Sequence, residues 1–512
     1  MEDRINNYIR YLKNQGIYLY NSLYTSGTHP GLLYGLPKIH KPDIPLRPIL
    51  SSINTPTYKL SKFLVPLLEP ITSNQYTLKD SFDFVNFISN LSFNECYMTS
   101  FDIKSLFTNI PVQETINIIS ERLFTTSTTL IANLNKKQFT KLLQLATSNS
   151  IFLFNNELFQ QIDGMAMGSP LGPAFANSFL CHHEENWLGD CPPNFKPLVY
   201  KRYIDDCFLI FNNQQQSHDF LNYINNKHSN ISFTSEGQCN DSLSFLDVSV
   251  RHTDGSFVSS VFHKPTSTLL GTNFFSFTPF KFKISGISSK IFRAFNICSS
   301  WESFHLELEY ILRYTNFNLF PTDILYNLVN KFLNNIFQPL TPIPKVPKLK
   351  VYLKIPFLGP QTDALVRQLK PLFNNCFPYV QFIFIPINNL KISSFFRLKD
   401  SIPMLLRSSV IYKYTCADCQ SRYIGQTGLQ MKIRISKHRG VSYRTNLPLT
   451  SPENSSIRTH FDDTGHNISQ DGFSILGSAT DLLDRRIIET LHINSVHPEL
   501  NTDTSSINLF TQ

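Results

Sequence analysis

The chain has 512 residues, 42% apolar and 16% charged, enough apolar material for several cores, which excludes a disordered chain. A net charge of +8 is a mild excess that admits a polyanionic partner without specifying one. No secretory leader opens the sequence and no apolar run approaches a bilayer span, so an intracellular chain with reduced thiols and no membrane partner is expected.

An amphipathic pattern runs from Ile5 to Leu23. The prolines of Leu33–Pro42 and Pro45–Leu50 then forbid helix and favour extended loop, leaving Lys38, Lys41 and Arg47 displayed, either as chance charges on an exposed loop or for triphosphate or template contacts. Tyr58–Leu68 and Phe82–Leu91 read as helices, and Tyr97–Asp102 as a strand. Helical spacing resumes at Gln113–Leu123 and Lys136–Asn149, followed by a strand at Ile151–Phe154 and a Gly-rich turn at Asp163–Gly172. Ala174–Leu180 reads as an apolar helix, and His182–Glu185 as its polar end with no evident partner. Strands are expected at Leu243–Val250 and Phe257–His263. The fold class is therefore α+β, an antiparallel sheet covered by helices over residues 1–280. A helical unit follows over 281–335, with helices at Ile284–Ile297 and Trp301–Arg313. Residues 336–405 form a Pro-rich connector in which two strand-like runs, Lys350–Ile355 and Gln381–Ile387, flank a helix at Asp363–Leu372. A compact C-terminal domain occupies 406–512.

The stretch that organises the first 280 residues is Tyr203-Ile-Asp-Asp206. Aromatic and β-branched residues on either side favour strands, and Asp-Asp at the join favours a tight turn, so the expected element is a hairpin with two carboxylates at its tip. A solvated surface turn is the bland alternative. Asp102, at the end of another strand, supplies a third carboxylate, and three such groups suit two-metal phosphoryl transfer. Phe107 is placed to lie under the sugar of an incoming nucleotide, and the Gly164–Gly172 turn lets backbone approach a base closely.

Phe101-Asp102, Gly168-Ser-Pro-Leu-Gly172 and Tyr203-Ile-Asp-Asp206, in that order, resemble motifs A, B and C of the reverse transcriptase palm. Tyr34–Lys41, Pro45–Ile49, Phe245-Leu-Asp247 and Phe262-His-Lys-Pro265 resemble the Penelope-like retroelement class. The resemblance covers roughly residues 30–315. It implies a right-hand-like polymerase making DNA on an RNA template, with Asp102, Asp205 and Asp206 holding two Mg²⁺. It further implies Lys38, Lys41, Arg47, Gly168, Ser169 and Lys264 near template or triphosphate, Phe107 as sugar gate, and residues 281–335 as thumb.

In the C-terminal domain two β-type runs put Tyr412 and Tyr423 on neighbouring strands, and a helix from Met431 brings Arg434 and His438 onto one face. Glu489 is central in a second helix over Asp484–Ile493, and Asn501 follows in an extended tail. Phosphodiester hydrolysis needs a base, a cation near phosphate and a metal ligand, which these residue types supply. A phenol serves as base only if its pKa falls. Residues 408–505 resemble the GIY-YIG nuclease domain, with Val-Ile-Tyr in place of Gly-Ile-Tyr. The resemblance implies Tyr412 as base, Tyr423, Arg434 and His438 around the phosphate, Glu489 holding one Mg²⁺, and Asn501 supporting the site. Cys416 and Cys419 with His460 and His466 supply a Cys₂His₂ set for structural Zn²⁺, an arrangement similar to that of Penelope-like nucleases. Eight Lys and Arg against one acid between Arg407 and Arg444 form either a solvated basic face or a surface for DNA phosphates.

The expected function is a retroelement enzyme whose nuclease nicks chromosomal DNA in the nucleus and whose polymerase extends the freed 3′-hydroxyl along the element's RNA. Its partners are RNA template, DNA target and primer, and dNTPs. The competing expectation is a truncated or co-opted copy that grips nucleic acid with only the nuclease active, or with no activity.

Overall fold

The computed structural model describes residues 1–19, 21–39, 43–125, 130–148, 150–338, 349–387, 395–396 and 399–501. Among these residues no helix is long and apolar enough to cross a membrane. The chain opens with α1 (Glu2–Asn14), which buries Ile5, Ile9 and Leu12 at helical spacing, and the helix stops there instead of running on to Leu23. The proline-rich stretches expected as loop are extended but paired: β1 (Gly31–Pro37) and β2 (Leu46–Ser51) form an antiparallel ladder with Leu36 opposite Arg47. Lys41 lies outside the described residues. Next come α2 (Tyr58–Leu68), α3 (Ser81–Ile88), β3 (Tyr97–Ile103), the single turn α4 (Leu106–Asn109), α5 (Val112–Leu123) and α6 (Lys136–Thr147). Asp80 caps α3 by accepting from the Phe82 and Asp83 amides, and Asn135 with Gln138 forms a reciprocal cap on α6. β4 (Ile151–Phe154) and β5 (Glu157–Gln160) complete a four-stranded sheet in the order β2-β1-β4-β5. Its β1–β4 pair is parallel.

The second sheet follows α7 (Gly172–Gly189) and contains β6 (Val199–Tyr203), β7 (Asp206–Phe211) and, after α8 (Gln214–Asn225), β8 (Phe233–Gly237). Its order is β6-β7-β3-β8, antiparallel throughout. Alternation along β7 serves two cores. Cys207, Leu209 and Phe211 pack with Phe175 and Phe179 of α7, whereas Phe208 and Ile210 pack with Phe84 and Ile88 of α3. Burial on both faces is why the run after Asp206 is apolar at every position. β9 (Ser242–Phe245), β10 (Val248–Thr253) and β11 (Ser256–Val261) form a separate meander. The single strand expected over Leu243–Val250 is thus two strands, broken by a turn in which Leu246 takes φ 56°.

Three helices follow, α9 (Phe280–Ile297), α10 (Trp301–Phe317) and α11 (Thr322–Phe337), around a core of Ile287, Ile291, Phe304, Ile311 and Leu325. Asp247 ties this unit to the sheets: its carboxylate pairs with Arg293 of α9 (2.6 Å) and accepts from the Ser81 hydroxyl. The prolines expected as a stiff connector at 339–347 lie outside the described residues. β12 (Leu349–Pro356), α12 (Pro360–Cys376) and β13 (Val380–Ile387) form a βαβ unit with parallel strands.

In the C-terminal domain β14 (Val410–Thr415) and β15 (Arg422–Thr427) are the expected hairpin. α13 (Met431–His438), α14 (Ser456–Thr464), β16 (Phe473–Ser478) and α15 (Leu482–Val496) complete it, with β14 central in the order β15-β14-β16. Tyr412, Tyr414, Met431, Ile435, Ile457 and Phe473 form its core.

Candidate active sites

The first site is built where β3 and β7 run side by side. Their register sets Asp102 directly opposite Asp206, and the Ile103 amide donates to the Asp205 carbonyl at 3.0 Å. Tyr203 pairs with Asp206, so Ile204 and Asp205 form a two-residue hairpin turn. Ile204 holds φ 56°, a left-handed conformation that is uncommon for a β-branched residue and marks local strain. Arg202 supports that turn from below: its Nη1 donates to the Ile204 carbonyl (2.9 Å) and to Asn177 (2.8 Å). Its guanidinium is fully buried on Glu184, which also accepts from the Tyr200 hydroxyl at 2.9 Å. Burial works against the charge on Arg202, but the Glu184 carboxylate more than restores it. The expectation that His182–Glu185 is an unpartnered polar helix end therefore fails, because Glu184 is the counter-ion of the hairpin.

The neighbouring His183 also has a partner. Glu114 accepts from His183 Nε2 (3.0 Å), and His228 Nε2 meets its other oxygen (3.2 Å). The Asn230 amide donates to His228 Nδ1, which leaves the proton of a neutral His228 on Nε2. The trio is thus a hydrogen-bonded lock between α5, α7 and the loop after α8.

Burial, then the charges of Asp205 and Asp102, push the Asp206 carboxyl up to about 6, opposed by Lys264. Burial and Asp102 likewise raise Asp205, with Arg47 among the groups drawing it down. The charges of Arg47 and Lys264 therefore both act on the carboxylates. Among the described residues the three aspartates are not one of the groups whose ligand atoms all lie within 4.8 Å. Divalent cations would draw the three carboxylates together, and the donor chemistry, all oxygen, suits Mg²⁺.

The Asp163–Gly172 turn is pinned from two sides. The Leu50 amide donates to Met167 O (2.8 Å) and the Ser52 hydroxyl to Gly168 O (2.6 Å), while the Met165 amide donates to Phe107 O (2.6 Å). Asp163 accepts from the Val112 and Gly164 amides. Gly168 takes φ 123°, and a Cβ there would collide with the Leu50 carbonyl oxygen. Phe107 packs against the start of α7 at Gly172. Ser169 lies at the end of the same turn, and Lys38 sits at the tip of the β1–β2 hairpin, its amide donating to Pro45 O. Ser52 and Asp163 carry no sequence signal of this role, because each acts through a backbone partner distant along the chain.

The second site is in the C-terminal domain. The Tyr412 hydroxyl lies 2.7 Å from His438 Nε2 and accepts from Arg434 Nε at 2.9 Å. Since Arg434 can only donate, the phenol proton points to His438, whose Nδ1–H then meets Ser455 Oγ at 2.8 Å. Burial raises the Tyr412 phenol despite Arg434, and holds His438 neutral down to about 3. The lowered phenol pKa that a base requires is thus absent from the protein by itself. Tyr423 packs beside Tyr412 with ring centroids 6.3 Å apart, and Arg434 also interacts with it. A Cβ at Gly425 would lie 2.6 Å from the Tyr423 ring and 2.9 Å from the Tyr412 hydroxyl, so only glycine fits between them. Glu489, on α15, is half-buried; burial raises its carboxyl, opposed by the Gln426 amide and Arg434. Asn501 stands apart from this group: its amide brackets Ile424, donating to the carbonyl and accepting from the amide at 2.8 Å each, which holds β15 in place.

Cys416, Cys419, His460 and His466 place their ligand atoms within 4.8 Å of one another. Their closest separations are 3.3–3.6 Å (His460–His466, Cys419–His460 and Cys416–His466). Those are the edges of a tetrahedron with metal–ligand bonds of about 2.0–2.3 Å. Much of the basic run from Arg407 to Arg444 is already paired: Arg422 with Glu499, Lys437 with Glu453, Arg444 with Asp3, and Arg439 with the Ile468 carbonyl. Glu499, Glu453 and Asp3 thus offset part of the charge of this run, which reads either as a solvated face or as a surface for DNA phosphates.

Residues 39–235 match the family of reverse transcriptases (RNA-dependent DNA polymerases). No curated protein matches the chain. Among solved structures it is similar to telomerase from Candida albicans in complex with a fragment of telomeric RNA, at 13% identity and TM-score 0.41, covering 64% of this chain and 63% of that one. It is also similar to apo telomerase from Candida tropicalis (13% identity, TM-score 0.37, covering 65% and 63%) and to the Sicinivirus RNA-dependent RNA polymerase (12%, 0.39, covering 62% and 72%). The chain thus spans less than two thirds of either telomerase chain. The matched segment holds Asp102, Asp205, Asp206 and the Gly168 turn, and residues 39–235 are a reverse transcriptase domain.

Proposed function

We propose that this protein is the RNA-directed DNA polymerase of a Penelope-like retroelement, coupled to a DNA-nicking GIY-YIG endonuclease, and that it inserts the element by target-primed reverse transcription in the nucleus. The observation that carries the polymerase reading is the register of Asp102 opposite Asp206 at a strained hairpin tip. Two Mg²⁺ held by Asp102, Asp205 and Asp206 would supply the activation of the primer 3′-hydroxyl and the neutralisation of pyrophosphate. Arg47 and Lys264, whose charges act on the carboxylates, steer the triphosphate of an incoming dNTP into the same space. Phe107 limits the room at the sugar, and the Gly164–Gly172 turn carries backbone to the base pair. The test is primer extension on an RNA template with dNTPs. Product is expected from the wild type and none from Asp205→Asn; a well-folded wild type without template-dependent product overturns the reading.

The endonuclease reading rests on the cluster of Tyr412, Tyr423, Arg434 and His438, with Glu489 acting on the same groups. Arg434 is placed to stabilise a phosphate and to hold the Tyr412 hydroxyl, and Glu489 would hold one Mg²⁺, whose charge makes a phenolate accessible. The hydrogen bond to His438 Nε2 orients the Tyr412 hydroxyl. Asn501 acts as a positioning residue. Zn²⁺ on Cys416, Cys419, His460 and His466 would fasten the β14–β15 hairpin to α14. Plasmid nicking should vanish in Glu489→Ala while DNA binding persists; unchanged nicking removes Glu489 from the site.

A further inference from the structure

The C-terminal domain is fastened to the polymerase's first residues. Tyr443 donates to Asp3 (2.8 Å), Arg444 pairs with the same carboxylate, the Ser408 hydroxyl donates to the Gly27 carbonyl, and the Gln430 amide donates to the Thr28 carbonyl. The backbones touch, since a Cβ on Gly27 would collide with the Gly428 carbonyl oxygen. Beneath this junction lies a cavity of about 310 Å³, with walls from three places: Gly31 and Ser52 of the β1–β2 ladder, Ser169 of the pinned turn, and Gln430, Lys432 and Tyr443 of the C-terminal domain.

The position of the cavity defines what it can take. None of the three aspartates lines it, and neither does Phe107. The Gly164–Ser169 turn, bonded to Phe107 at Met165 and to β2 at Met167, lines the cavity. The dNTP and its metals belong on the aspartate side. A duplex is too wide for so small a space. What remains is a single strand approaching the reaction centre along that turn, and that strand is the template. The walls suit it chemically. Leu50 and Ile433 offer apolar surface for a base, and the acids at the rim are already committed, Glu2 to Thr28 and Asp3 to Tyr443 and Arg444. Among the described residues the Lys432 ammonium makes no hydrogen bond or ion pair, nor does the Ser169 hydroxyl. An unpaired cation beside apolar surface is how single strands are held, phosphate on the cation and base on the wall.

We propose that the C-terminal domain forms one wall of the template path, with Lys432 and Gln430 receiving single-stranded RNA just ahead of the polymerase site. This rests on the polymerase reading above. It gives the C-terminal domain a part in DNA synthesis that is independent of cutting.

The experiment uses the full chain and a primer annealed to RNA with either a short or a long 5′ single-stranded extension, read by equilibrium binding and by extension. Wild-type protein is expected to bind the long extension more tightly. Lys432→Glu should lose that preference, about tenfold in Kd, with an unchanged melting temperature, and Lys432→Arg should retain it. Loss of the preference in Lys432→Glu but not Lys432→Arg supports the wall. A wild type that extends primers but ignores the length of the extension overturns the wall and leaves the polymerase reading intact. Equal preference for a DNA extension of the same sequence overturns the assignment to RNA, and an absence of any extension product overturns both readings.

Discussion

Arg202 lies bidentate on Glu184 inside the protein, and its Nη1 reaches the carbonyl of Ile204, the strained residue of the Tyr203–Asp206 hairpin. The pair couples α7 to the tip of β6, so the ion pair and the turn that carries Asp205 share one guanidinium. Removing one partner of a buried pair leaves the other charge uncompensated, which costs about 3–5 kcal/mol. Glu184→Ala should therefore lower the unfolding free energy, measured by urea titration, by that amount. A protein of wild-type stability would show that Glu184 is not the counter-ion. Glu184→Gln keeps the shape and one acceptor, and should fall between the two.

Gly168 is fixed by backbone, not by side chains. Its φ of 123° and the Leu50 carbonyl leave no place for a Cβ, and neither neighbour is a flexible side chain that can yield. Gly168→Ala should displace the turn from β2, breaking the Ser52 hydroxyl's bond to the Gly168 carbonyl. Primer extension should drop at least about tenfold, corresponding to roughly 1.4 kcal/mol of transition-state stabilisation, while the C-terminal domain melts as before. An Ala variant with full activity would show that the turn tolerates movement there.

The sequence makes local order legible and long-range pairing obscure. Tyr58–Leu68 occupies the residues its spacing indicates, because one face of the helix is patterned, and Ile151–Phe154 is legible as a short run of apolar residues. α7 extends to Gly189, well past Leu180, because it is buried nearly all round from Phe175 to Leu188 and so lacks an amphipathic period. β8 reads as polar, Phe-Thr-Ser-Glu-Gly, since it is a sheet edge with one buried residue. At the sites, residues that chemistry selects by type (Asp102, Asp205, Asp206, Cys416, His466) stand out in the sequence. Glu184 does not, since its partner is 18 positions away on another element and nothing local distinguishes it from a surface acid.

Acid should loosen the C-terminal domain through His438. The buried imidazole stays neutral down to about 3, whereas an unfolded histidine takes a proton near about 6.5. Between those values the unfolded state binds the extra proton, so stability is full above the unfolded pKa and is lost as pH falls, by at most about 1.4 kcal/mol per pH unit. Unfolding in urea at pH 7 and pH 5 should show this loss in the wild type. His438→Gln, which cannot take the proton, should show a smaller difference between the two pH values. An equal difference in both proteins would assign the acid sensitivity to other groups.

The thiolate–imidazole set makes the firmest prediction about metal. Cys416 is buried and follows β14, while His466 comes directly after the left-handed Gly465 that ends α14, so an ion there would join two elements that β15 and α13 separate along the chain. Metal analysis should find one zinc per chain, and Cys416→Ser should lose it together with several kcal/mol of domain stability. Chelation should reproduce the loss in the wild type and have no further effect on Cys416→Ser. The polymerase, if its aspartates take a hard cation through oxygen as proposed, should recover extension activity after chelation once Mg²⁺ is restored, whereas nicking should need zinc as well. Recovery of nicking with Mg²⁺ alone would show that the four residues hold no structural ion.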